Sequence, residues 1–120
     1  MISADLKVQL AAHLGIEEGD PDSWPLVECA LETLRQVTRG KGRERHQRGR
    51  DFVDQPILVI PALLGGEVGL GGLLYQAMKK CEESVKMPVE RRIAELRGAV
   101  VYTLAAIMHE ERRAPSPEHP

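Results

Sequence analysis

From Leu70 onward the apolar residues recur every three or four positions, and this period constrains the fold more than any other feature of the chain. Leu70, Leu73, Leu74, Ala77, Met78, Cys81 and Val85 form one helical face, while Gln76, Lys79, Lys80, Glu82, Glu83 and Lys86 supply the opposite one. Pro88 opens a second long helix that runs to about Arg113, with Ile93, Leu96, Val100, Leu104, Ile107 and Met108 expected to face inward. The middle of this helix, GAVVYTLAAIM, is apolar almost all round, which suits a central position in a bundle or a subunit contact. Ala94, Gly98 and Ala105 are small enough to let another helix approach closely.

The rest of the chain extends an all-helical reading. Ile2, Leu6, Leu10 and Leu14 are spaced by four and predict a first helix ending at Gly15. After the acidic linker IEEGDPDS, Asp22 or Ser23 is placed to cap a helix that carries Pro25 in its first turn. That helix reaches about Arg39, with Leu26, Cys29, Ala30, Leu34 and Val37 expected inside and Gly40 as its stop. Ile57 to Ile60 form an apolar, largely β-branched run for which helix and strand compete locally. A short helix broken at Pro61 is the expectation, because no second strand is available to pair with it. Gly65, Gly66, Gly69, Gly71 and Gly72 in LGGEVGLGG read as a hinge or close-approach loop. They match neither GxxxxGK[ST] nor a dinucleotide fingerprint.

With 120 residues, 42% of them hydrophobic and 28% charged, the chain has the composition of one soluble domain. Its aromatic residues are Trp24, Phe52, Tyr75 and Tyr102, so the core must be aliphatic, which favours packed helices over a β-sandwich. The expected architecture is therefore all-α, a small bundle of four to five helices. Residues 1–113 make a single domain, and the tail 114–120, APSPEHP, is expected to be disordered. Cys29 and Cys81 lie on expected apolar faces and read as buried reduced thiols, and no CxxC or HxxxH spacing is present. The N-terminus lacks a signal-peptide pattern and no apolar run is long enough to cross a bilayer, so a cytoplasmic location without membrane partners is expected.

Arg39 to Pro56, RGKGRERHQRGRDFVDQP, departs from this scaffold. Arg39, Lys41, Arg43, Arg45, Arg48 and Arg50 oppose Glu44 and Asp51, a local charge of +4; the formal total is −2, so the remainder carries −6. A basic segment on an acidic body points to a polyanionic ligand. Arginine suits phosphate because its planar fork donates paired hydrogen bonds and stays charged, and the interspersed glycines free backbone amides to turn toward the same anion. The candidate ligand-binding set is Arg43, Arg45, His46, Arg48 and Arg50 for phosphates, Phe52 or Tyr75 for base stacking, Asp54 and Gln55 for hydroxyls or a base edge, and Lys79 as an extension of the basic wall. His46 sits among cations, which disfavours its protonated form.

Paired carboxylates offer a competing reading. Glu28 and Glu32 are spaced by four, Glu82 and Glu83 are adjacent, and Glu110 and Glu111 end the last helix. MazG-like pyrophosphohydrolases hold magnesium on helical EExxE and ExxD patterns. Here no EExxE occurs, and Glu95 is followed at the third position by Gly98. No catalytic residue, metal ligand or cofactor is assigned. A magnesium-dependent nucleotide pyrophosphohydrolase stays as the alternative. A nucleic-acid- or protein-binding inhibitor acting through the basic loop is a further one, with nucleic acid disfavoured by the acidic body and the few aromatics.

Four strings, RH at 45–46, DFVDQP at 51–56, YQAMKK at 75–80 and ELRGAVVYTLAAI at 95–107, resemble a group of small bacteriophage anti-defence proteins. These are the nucleotide-sequestering sponges of the Thoeris anti-defence type, which bind cyclic nucleotide immune signals without cleaving them. The resemblance covers about half the chain. It implies a homo-oligomer in the host cytoplasm, with ligand pockets at subunit contacts and no turnover.

Overall fold

The computed structural model describes residues 2–39 and 56–114, and these form five helices in the order α1 (Ala4–Leu14), α2 (Ser23–Arg39), α3 (Pro56–Leu64), α4 (Gly66–Ser84) and α5 (Val89–Arg113). The all-α expectation holds. Residues 40–55, including most of the basic segment, and the tail 115–120 lie outside the described residues.

The antiparallel pair α4 and α5 is the frame. Their connection is tight because Arg92 reaches back over it: its Nε donates to the carbonyl of Ser84 at 3.1 Å and a terminal nitrogen donates to that of Met87 at 3.1 Å. A guanidinium there satisfies carbonyls that the end of α4 leaves open and complements its dipole. Ser84, buried, donates its hydroxyl to the Cys81 carbonyl at 2.7 Å. The short α3 lies across the pair, where Leu58, Leu73, Ala105 and Ala106 make a small core flanked by Ile57, Leu70, Tyr102 and Met108. α2 leans on α5, with the Gln36 side-chain amide donating to the Ala94 carbonyl at 3.1 Å.

Small residues allow these approaches. A β-carbon on Gly69 would stand 2.3 Å from the Pro61 carbonyl oxygen, so α3 and α4 meet backbone to backbone at that point. Ala105 is fully buried, and Gly98 accommodates the methylenes of Lys80.

Several expectations are corrected. Residues 57–60 are helical, but the helix passes through Pro61 and ends at Leu64. Pro61 is buried against Gly69, and its carbonyl accepts from the Gly65 N–H at 2.9 Å. The glycine run is not a loop: only Gly65 and Gly66 take positive φ, 77° and 46°, and Gly69, Gly71 and Gly72 are already inside α4. The cap of α2 is neither Asp22 nor Ser23 but Asp20, whose carboxylate accepts from the N–H of Asp22 at 2.9 Å, from the N–H of Ser23 at 3.3 Å and from the Ser23 hydroxyl at 2.8 Å.

The inward faces differ most. On α2 the buried side chains are Trp24 and Thr33, whereas Leu26, Cys29, Ala30 and Leu34 are exposed. Trp24 is held by its ring N–H donating to the Glu17 carbonyl at 3.1 Å, under the Lys7 ammonium. On α1 only Ala11 is buried, and Leu6 and Leu14 are exposed. Cys81 is exposed as well, so neither cysteine is a buried thiol. On α5 the buried residues are Ala99, Val101, Ala105, Ala106 and His109, while Ile93, Leu96, Val100, Leu104 and Ile107 face outward. The closely packed interior selects small side chains, and the large aliphatic ones are displaced to the outer surface.

Candidate functional site

Of the ten candidate ligand-binding residues, Arg43, Arg45, His46, Arg48, Arg50, Phe52, Asp54 and Gln55 lie outside the described residues. What the structure positions are the two helices that the segment joins: α2 ends at Arg39 and α3 begins at Pro56. Tyr75 and Lys79 are both on α4, one turn apart on a surface turned away from Leu73 and the core. Tyr75 is 64% exposed, which leaves its ring face open for stacking. Lys79 lies 3.9 Å from Glu83 in a solvent-exposed pair, a contact that holds it only loosely.

Lys80, next to Lys79 in the sequence, has a different role. Its ammonium meets Glu95 of α5 at 2.8 Å, with the two side chains only 24% and 17% exposed, and it lies 5.9 Å from the centroid of the Tyr102 ring. Its methylenes run over Gly98, where a β-carbon would come within 2.9 Å of Cδ. Lys80 therefore ties α4 to α5 and does not contribute to a basic wall. The sequence carried half of this signal, since a glycine three positions after Glu95 leaves the room that the lysine stem fills.

Three of the other acidic residues considered for metal binding face cations. Glu32 pairs with Arg35 and Glu110 with Arg113 at 2.7 Å, each within its own helix, and Glu82 pairs with Lys86, just beyond the end of α4, at 2.7 Å. Glu82 holds the Lys86 ammonium above its ordinary pKa by hydrogen bond and charge. Among the described residues no three His, Cys, Asp or Glu side chains come together as a metal-binding group.

His109 was missed by the sequence reading. It is buried on the small-residue face of α5, its Cε1 would be 2.9 Å from a β-carbon on Gly69, and its Nε2 is 2.9 Å from the Gly66 carbonyl. A carbonyl only accepts, so Nε2 carries the proton. The bond anchors the first turn of α4 on α5. Among the described residues an open groove of about 450 Å³ runs between α4 and α5, with Leu70 and Leu74 on one wall, Thr103, Ala106 and Ile107 on the other and Glu110 and Glu111 at one end, a mainly apolar lining that does not suit a phosphate.

No helix among the described residues is long and apolar enough to cross a membrane. No protein-family model, curated protein or solved structure matches the chain.

Proposed function

We propose that this protein binds and sequesters a phosphate-bearing small ligand, a nucleotide or cyclic nucleotide, through the basic segment between α2 and α3, without turning it over. The observation that carries this reading is the segregation of charge: +4 over Arg39–Asp51 against −6 over the remainder. Arg43, Arg45, Arg48 and Arg50 would meet the phosphates, and Phe52 or the open ring of Tyr75 would stack on a base. The resemblance to phage anti-defence sponges assigns the ligand to the cyclic nucleotide immune signals.

The use of the carboxylates supports binding over hydrolysis. A magnesium-dependent pyrophosphohydrolase needs several acidic side chains converging on one ion. Glu32, Glu82, Glu95 and Glu110 each face a lysine or arginine instead.

The test is to incubate the protein with a panel of linear and cyclic nucleotides, with and without magnesium, and to chromatograph what heat denaturation releases. Depletion of one nucleotide from solution and its intact recovery are expected. The double substitution Arg45→Ala and Arg48→Ala should abolish depletion while the helical circular dichroism is unchanged. Unaltered uptake by that variant refutes the site, and magnesium-dependent conversion to a new species replaces sequestration with hydrolysis.

A further inference from the structure

The outward stripe of α5 has a symmetry of its own. Ile93, Leu96, Val100, Leu104 and Ile107 are separated by three, four, four and three residues, and the residue types read Ile, Leu, Val, Leu, Ile. Both spacing and chemistry are palindromic about Val100. From Ile93 to Ile107 the stripe advances fourteen residues in four steps, a period of 3.5 that lets two helices keep one seam in contact along its length. It lies half a turn around the helix from Ala105 and His109, on the side facing away from the protein's own core.

These five side chains are between 38 and 51% exposed. The adjoining edge of α4 adds Leu74, Met78 and Cys81, continued by Val85 just past its end, also at helical spacing and exposed, and Leu74 and Ile107 line the same groove. Large apolar side chains exposed side by side in this way mark an interaction surface.

Residues 40–55 contain two large apolar side chains, Phe52 and Val53, among eight charged ones, and residues 115–120, PSPEHP, contain none. We infer that the occupant is a second copy of the chain, packed α5 against α5 antiparallel, with the two-fold axis passing beside Val100. A two-fold contact requires a surface complementary to itself, and in an antiparallel pair centred on Val100 each Ile93 meets Ile107 and each Leu96 meets Leu104. The polar residues agree: Arg97 of one copy faces Thr103 of the other, and the two Glu111 carboxylates stand at opposite ends of the contact. Parallel packing would set Arg97 on Arg97 and Glu111 on Glu111, which like-charge repulsion opposes. This inference stands apart from the ligand-binding reading and does not use the basic segment.

Cross-linking tests it in a background with Cys29→Ser and Cys81→Ser. Val100→Cys should form a disulfide-linked dimer with itself on mild oxidation. Ile93→Cys should not self-link, but should link to copies carrying Ile107→Cys. Light scattering of the wild type should give twice the chain mass of 13.3 kDa, and Val100→Arg should halve it with unchanged helical circular dichroism. A wild type at single-chain mass overturns the proposal, as does self-linking of Ile93→Cys without that of Val100→Cys. If Val100→Arg fails to fold, the cross-linking pattern alone decides.

Discussion

Asp20 shows how much one exposed side chain can organise. Its carboxylate gathers the Asp22 N–H, the Ser23 hydroxyl and the Ser23 N–H, closing the linker onto the start of α2. These donors, the Asp22 amide foremost, hold its pKa below the ordinary 3.8. A group whose folded pKa is depressed contributes stability above its unfolded value and loses it as pH falls through the folded one. The thermal midpoint of the wild type should therefore drop more steeply on acidification below about pH 4 than that of Asp20→Ala, the two converging at the lowest pH. Parallel midpoints across that range would show that the cap carries no folding energy. The sequence had placed the cap two or three residues later, because Asp20, Asp22 and Ser23 are all competent N-cap types and only the path of the linker selects among them.

At the level of elements, the meeting of α3 and α4 depends on the missing side chain of Gly69. Gly69 and Gly72 lie within one turn of the same helix, yet a β-carbon meets the Pro61 carbonyl and His109 at the first and nothing within 4 Å at the second. Gly69→Ala should destabilise by about 1–3 kcal/mol or more, since backbone atoms on one side of the clash have no rotamer to relax into. Gly72→Ala should stabilise by about 0.5–1 kcal/mol through helix propensity and the entropy of the unfolded chain. Chemical denaturation of the two variants reads both, and equal effects would contradict the packing described. The same glycines explain why LGGEVGLGG looked like a loop: a run of glycines has no helical tendency of its own, and α4 extends through it because α3 and α5 pack there.

At the scale of the molecule, the described residues leave large aliphatic side chains on the outer faces of α1, α2, α4 and α5 around a core built mainly of alanine and single leucines. The proposed dimer would remove the α5 share of that surface from water and couple folding to association. The thermal midpoint of the wild type should then rise with protein concentration while that of Val100→Arg should not; a concentration-independent wild type would count against a dimer that folds as one unit. Helix content was legible in the sequence because the three-to-four period and the capping and breaking residues act locally: the start of α5 after Pro88 and the end of α1 at Gly15 were both readable. The charge separation that supports the ligand-binding proposal is likewise a property of the sequence alone. Which stripe faces inward was not readable. On α5 the large residues and the small ones both repeat at helical spacing, so periodicity admits either face as the interior. The tertiary structure decided for the small face, because the approach of His109 to Gly69, the Lys80 stem over Gly98 and the bond from His109 to Gly66 require α4 and α5 to lie closer than a layer of leucine and isoleucine would allow.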